Sequence, residues 1–407
     1  MAYPNPLPLE LSERIPQEIF NEVATFADPV SLKSLSLVSH LWEASTRHLL
    51  FYEFQINERF LYWFSKNPEG WQRILPCIQR AHIALHFGIP ERDALLKEGL
   101  SAALPRMVKL RQLRFEQGGS KAILLLIALL KGSEQITGLE IRDGAFESFQ
   151  VLQGTVASLP GLEDLLVKDI WWPKDGERNE GSAQAMVPAP RKIINLTIDT
   201  MDSRYPTRGR TTSQILSWLA HGNVDSIRFM SVVEVDGSGV LSKFTRVETL
   251  ILGYRWSTYD LGNRLSPSVK TLSAFKALKI LEIRSVISLD LSGLSDIDHT
   301  WYSDLLSTVA SPLSYLTFKL AFYGEDDLER MDWMTLNSLL QNSPFYAELS
   351  GIVIGFMRPH WPERPPSQAD CDRMIRRRIP GLRPGARLTV EFYASGHWSP
   401  ASSFIYD

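Results

Sequence analysis

One spacing constrains this chain more than any other feature. An apolar residue, two residues of any kind, a second apolar residue, one of any kind and a third apolar residue recur from IQRAHI, starting at 78, to RLTVEF, ending at 392. In order the copies are IQRAHI, LRQLRF, ITGLEI, LEDLLV, IINLTI, VDSIRF, VETLIL, LKILEI, LSYLTF, LSGIVI and RLTVEF, the last opening on Arg387 in place of an apolar residue. They centre on Ala81, Leu113, Leu139, Leu165, Leu196, Ile227, Leu250, Leu281, Leu316, Ile352 and Val390, in steps of 23 to 38 residues. The alternation that closes each copy predicts a half-buried strand. Segments with helical spacing lie between copies, such as KAILLLIALLK, TTSQILSWLAHG and HTWYSDLLSTVAS. Strand and helix alternating at this period predict an α/β solenoid with a parallel curved sheet on its inner face.

A doubly wound α/β domain is the alternative, and it calls for a Gly-rich turn between a strand and a helix. The nearest stretch is EQGGSK, 116–121, where the order needed to cradle a phosphate is missing. It reads as a tight turn. PKDGERNEGSAQAMVPAPR, 173–191, is rich in Pro, Gly, Ala and charge and reads as a flexible insertion between the fourth and fifth strands.

Composition narrows the function. A hydrophobic content of 44% supports a folded core, and a net charge of −3 gives no electrostatic reason to expect nucleic acid or an anionic membrane. Cys77 and Cys371 are the two cysteines, too few and too far apart for a disulfide scaffold. The sequon at Asn195 falls in a predicted strand, a poor place for a glycan. The longest apolar run, ILLLIALL at 123–130, is short of the ~20 residues of a membrane helix, and the start lacks the pattern of a leader. A soluble cytoplasmic or nuclear protein is expected.

Catalytic signatures are missing too. Gly-x-Ser-x-Gly, His-Glu-x-x-His and Cys-x-x-Cys do not occur. His82 and His86 lie in a strand-like stretch, where residues four apart are ~13 Å apart. Asp296-Ile297-Asp298-His299 fits a cap for the helix near Trp301 better than a metal site. Asp370-Cys371-Asp372 followed by Arg373 and Arg376–Arg378 reads as a helix with charges matched to its dipole. No enzyme, cofactor or metal is expected.

The eleven copies resemble degenerate leucine-rich repeats. The Leu-x-x-Leu-x-Leu core is present, but the Asn or Cys that follows it in regular repeats is absent and the period is longer.

Ahead of the repeats stands a small helical unit. Pro16 suits a first helical turn, and Ile19, Phe20, Val23 and Phe26 follow at helical spacing. Asp28-Pro29 breaks the chain, and Ser31 is expected to cap one further helix running from Ser31 to Leu50. On a wheel, the apolar residues of that helix cover roughly 220°, wider than the ~100° stripe of a single core contact. A unit of this size cannot bury such a surface alone, which predicts a partner chain.

The same residues resemble an F-box: Ile15-Pro16-x-Glu18-Ile19, the Asp28-Pro29 break, Leu35-Ser36-Leu37-Val38-Ser39, a closing Trp42 and then Arg47. Ile15 stands where the family usually has Leu. A second possible opening, Leu7-Pro8-x-Glu10-Leu11, lies 35 residues before Trp42, against 27 from Ile15, and the shorter distance suits the family. The resemblance implies a tail (1–13), an F-box (14–53), a helical linker (54–77) and a repeat domain (78–407). It also implies a substrate-recognition subunit of an SCF-type ubiquitin ligase, docked on a Skp-type adaptor and through it on a cullin. A protein substrate would be held on the repeats for ubiquitin-dependent degradation. The alternative is a repeat-based interaction protein that delivers nothing to ubiquitin transfer. By position, Ile15, Pro16, Glu18, Ile19, Leu32, Leu35, Val38 and Trp42 would serve the adaptor. The sequence leaves open which of the last four form the unit's own core.

Aromatic residues just past predicted strands outline a candidate substrate rim: Trp171, Trp172, Tyr254, Trp256, Tyr259, Phe356, Trp361 and Trp398, with Phe322, Tyr323 and His397 beside them. Packing of these rings on one another is the other reading. Strand positions expected on the concave side, Arg114, Glu140, Thr197, Arg228, Glu282, Thr317 and Glu391, carry no single sign of charge.

Overall fold

The structure, a computed structural model, describes residues 15–84, 90–116, 120–172, 187–199, 208–222, 224–233, 239–256, 271–287, 301–321, 332–358, 368–380 and 386–394. The described residues are α/β, with twelve parallel strands that follow chain order. That order never reverses, unlike a doubly wound sheet, which turns back at the crevice holding its ligand. Two compact units divide the chain, Met1–Gly161 and Leu162–Asp407.

The first unit begins with three short helices, α1 (Gln17–Thr25), α2 (Pro29–Ser36) and α3 (His40–Leu50). Strand β1 (Glu53–Ile56) and helix α4 (Glu58–Lys66) follow, the latter capped by Asn57 Oδ1, which accepts from Phe60 N–H at 2.9 Å. Then come β2 (Arg80–Ala84), α5 (Pro90–Ala103), β3 (Gln112–Glu116), α6 (Ser120–Leu130), β4 (Gly138–Arg142) and α7 (Phe149–Ala157). The second unit holds β5 (Asp164–Lys168), β6 (Asn195–Asp199), α8 (Arg208–Leu219), β7 (Phe229–Val233), β8 (Thr249–Trp256) and β9 (Ile280–Ile287). It ends with α9 (Trp301–Ser307), β10 (Tyr315–Ala321), α10 (Trp333–Asn342), β11 (Gly351–Arg358), α11 (Gln368–Arg378) and β12 (Arg387–Ala394). No described helix is long and apolar enough to cross a membrane.

Register explains the six-residue pattern. In the first unit Phe54, Ala81, Leu113 and Leu139 are successive partners. In the second the row runs Leu165, Leu196, Met230, Leu250, Leu281, Leu316, Ile352, Leu388. Nearly all of these are buried, as is the third apolar position of each copy (Ile83, Phe115, Ile141 and their successors). The first apolar position, three residues before the row, is buried ahead of the strand: Ile78, Leu110, Ile136, Leu162, Ile193 and Val247 are all fully covered. The pattern therefore records one inward residue on the approach and two on the strand.

Backbone joints repeat with it. Gln79 and Arg80 N–H both donate to the Tyr52 carbonyl, Arg111 and Gln112 to Gln79, and Thr137 and Gly138 to Arg111. The second unit does the same at Glu163, Ile194, Arg228, Glu248 and Lys279. One carbonyl uses both lone pairs at each entry, so successive strands start in the same register. Asp143 and Asp169, just past β4 and β5, both take the left-handed backbone conformation that aspartate tolerates, with φ at 49°.

Two copies were expected in the wrong frame. Ile227 is not the central residue of the seventh strand but its buried approach residue, and Met230 holds the row. The competing frame V-x-x-I-x-F would turn Phe229 inward, whereas Phe229 is half-buried on the opposite face. In the last copy Leu388, not Val390, pairs with Ile352. A twelfth strand was missed: FYEFQI, 51–56, carries the same pattern inside the segment assigned to the first domain and the linker.

Tyr254, Trp256 and Phe356 were expected in loops, but they belong to β8 and β11, strands of eight residues. Asn195 of the sequon lies in β6, where its amide donates to Asp164 Oδ1 at 2.6 Å. Of the insertion, residues 173–186 lie outside the described residues, and the Val187 carbonyl accepts from Trp218 Nε1 at 2.7 Å.

Candidate functional site

The three N-terminal helices are built around local caps. Asp28 Oδ1 accepts from Val30 N–H at 2.8 Å and Ser31 N–H at 3.1 Å, and Pro29 fills the first helical position. Asp28, not Ser31, is therefore the cap, and the Ser31 hydroxyl donates to Asp28 Oδ2 at 2.5 Å. These bonds, led by the one from the Ser31 side chain, hold the Asp28 carboxyl below the usual aspartate range. The expected single helix is two, parted at Leu37 and Val38. Ser39, with an extended backbone, starts the second by accepting from Trp42 N–H at 3.4 Å. A serine that caps cannot also continue the preceding helix.

Inside the unit, Phe20 and Ala24 of α1 and Leu32 of α2 are buried. Phe20 meets Trp42 edge to face, with ring centroids 4.7 Å apart. Gln17 Nε2 donates to the Leu41 carbonyl at 3.2 Å and also reaches the buried Ser45 hydroxyl. Thr46 Oγ1 donates to the Trp42 carbonyl at 2.8 Å. Glu43 pairs with Arg47 one turn on at 2.6 Å, and Arg47 lowers its carboxyl from the ordinary glutamate value.

Another set of apolar side chains stays in water. Ile19 and Val23 are 49% and 48% exposed, Phe26 84%, Val30 72%, Leu37 87% and Val38 67%. Ile19, Val23 and Phe26 recur every three to four residues and share one face of α1. Phe26, Val30 and Leu37 close helix ends or open them, positions where a large apolar group gains nothing from its own unit.

The sequence-derived adaptor residues fall into both sets. Pro16, Glu18, Ile19 and Val38 are exposed, Ile15, Leu35 and Trp42 are half-buried, and Leu32 is buried. Val23, Phe26, Val30 and Leu37 are missing from that group. Their signal was present for α1, where the spacing is helical, but a wheel drawn through a continuous helix hid the exposed turn at Leu37.

Of the rim residues, Trp171 is half-buried and Trp172 is 7% exposed. Tyr254, Trp256 and Phe356 are placed by backbone only, and Tyr259, Trp361, Trp398, Phe322, Tyr323 and His397 lie outside the described residues. His86, Asp296–His299 and the glycines of EQGGSK lie outside them as well. Among the described residues no group of three His, Cys, Asp or Glu could hold a metal.

The face of the strands opposite the apolar rows is polar and internally paired. In the first unit His82 Nε2 lies 2.7 Å from Glu116, Glu116 also pairs with Arg114 at 3.2 Å, and Glu140 bridges Arg114 and Arg142. In the second unit Glu282, Arg284, Thr197 and Asp199 are buried, and Glu282 pairs with Arg284 and with Lys319 Nζ at 3.0 Å. Arg228 precedes β7 instead of lying on it.

The sequence matches no protein-family model and no curated protein.

Proposed function

We propose that this chain is the substrate-recognition subunit of an SCF-type ubiquitin ligase. In this reading α1–α3 are an F-box that docks on a Skp-type adaptor bound to a cullin. The strands and helices beyond form an irregular leucine-rich-repeat-like solenoid that holds a protein substrate. The protein performs no bond chemistry itself. It raises the effective concentration of a substrate lysine beside a charged ubiquitin carrier, in the cytoplasm or the nucleus.

One observation carries the reading: Ile19, Val23, Phe26, Val30, Leu37 and Val38 stand in water on three short helices that already have a core in Phe20, Leu32 and Trp42. Clustered exposed apolar side chains beyond what a core needs mark a surface built for another chain. The cap at Asp28 and the break at Leu37–Ser39 support it, because they project these side chains from helix ends.

Co-expression with a Skp-type adaptor and a cullin tests it. The expected result is a complex of fixed stoichiometry that survives size-exclusion chromatography. A chain that elutes alone, with its helical circular dichroism intact, contradicts it and leaves a repeat-based interaction protein.

A further inference from the structure

The last helix and strand carry charge opposite to that of the chain. Within Gln368–Arg378 and Arg387–Ala394 five arginines (373, 376, 377, 378 and 387) stand against Asp370, Asp372 and Glu391, a balance of +2 in a chain of −3. Between α11 and β12 lies an open cavity of about 660 Å³, lined by Ala369, Asp372, Arg376 and Arg387–Val390. That volume lies within the ~300–1,000 Å³ of ordinary ligand sites.

Its polar groups are ordered. Arg376 Nε donates to Asp372 Oδ2 at 2.7 Å, and Arg376 NH2 donates to the Leu388 carbonyl at 3.1 Å. Arg387 N–H donates inward to the Ser350 carbonyl, so the next residue, Leu388, turns its carbonyl to the outer edge of β12. Arg376 is thus pinned over the terminal edge, and Asp372 is spent in aiming it. Arg387 is exposed, one residue from that carbonyl, and no ion pair is seen for it among the described residues. The Arg376 guanidinium stands over a floor of four strand residues that begins at the exposed Arg387, ~13 Å long at the repeat of extended chain.

We infer that this groove binds an extended acidic peptide segment of a partner protein, whose carboxylates meet Arg376 and Arg387 while its main chain runs beside β12. An extended segment shares the repeat of the floor, and guanidinium groups pair with carboxylates through two parallel hydrogen bonds. The inference does not depend on the ligase reading, since it concerns the other end of the chain and needs no adaptor.

The test is fluorescence anisotropy of a labelled decapeptide of alternating glutamate and valine, titrated with the full chain alone. Saturable binding that weakens with salt is expected, with no binding of the matching lysine–valine peptide. Arg387→Glu should weaken binding by more than about tenfold and Arg387→Lys by less, because a point charge keeps attraction but loses the paired geometry. Arg246→Glu, outside the groove, should leave it unchanged. Equal binding of both peptides, binding unaffected by Arg387→Glu, or no binding to the folded chain overturns the inference. Capture of only a phosphoserine version of the peptide would also overturn it, assigning the groove to phosphate.

Discussion

Phe20 and Trp42 pack edge to face at 90°, and Phe26, six residues further along the same stretch as Phe20, is 84% exposed. One phenylalanine closes the core of the first three helices and the other leaves it. These two positions must respond differently to the same change. Phe20→Ala should cost the fold ~3–5 kcal/mol through the cavity and the lost ring contact. Phe26→Ala should stay within about 0.5 kcal/mol. Chemical denaturation followed by circular dichroism measures both.

The Asp28 cap should make α2 sensitive to acid. Its carboxyl is held below the ordinary aspartate value by the Ser31 and Val30 bonds, so the folded state favours the charged form. The stabilisation is then fully present above the unfolded-state value and is lost as pH falls through the lower folded value. Amide exchange at Val30 and Ser31 should accelerate over that acid range. Asp28→Asn should remove the pH dependence while keeping the cap.

Glu282 should be among the costliest carboxylates to delete. Its side chain is 10% exposed and sits between Arg284 and Lys319 on neighbouring strands. Glu282→Ala leaves two cations without that counter-charge, a loss of ~3–5 kcal/mol. Glu43→Ala, at a half-buried pair within α3, should cost at most about 1 kcal/mol. Parallel melts of the two variants compare them.

Tyr346 ties the approach to β11 to the end of α9. Its hydroxyl donates to the Leu306 carbonyl at 2.7 Å, and burial raises its ionisation above the ordinary tyrosine value. Tyr346→Phe keeps the packing and leaves the Leu306 carbonyl with the Val309 N–H alone, at 3.2 Å, a loss of about 1 kcal/mol. Since the phenol stays neutral well above ordinary tyrosine titration, the wild-type melt should not change between neutral and mildly alkaline pH on its account.

Much of the sheet was legible because each strand is written in three buried positions at fixed spacing. Leu113 and Leu139 could be paired by inspection, since a strand leaves little choice of inward residue once its approach residue is known. The slip at Ile227 arose where Val224, Ile227 and Phe229 imitate the pattern one frame early, and only pairing with Leu196 and Leu250 decides between frames. Phe51, Phe54 and Ile56 fit the same template but follow directly on α3, so a helix end masked a strand. At the candidate site the caps were half legible: Asp-Pro announces a break, yet whether Asp28 or Ser31 caps depends on backbone angles. Exposure was not legible at all for Leu37. It follows from the helix stopping at Ser36, which Ser39 decides by starting another. The groove beside β12 joins Arg376 to Leu388, 12 residues on, and no local spacing records that contact.

The central claim, that the exposed side chains of α1–α3 are an adaptor surface, is tested most directly by calorimetric titration of the purified chain with a Skp-type adaptor. Wild type should bind with a defined stoichiometry and a negative heat-capacity change, the mark of apolar burial. The double change Phe26→Asp and Leu37→Asp should abolish binding, and its melting temperature should match that of the wild type. Binding that is unchanged in the double variant, or absent in the wild type, would contradict the account.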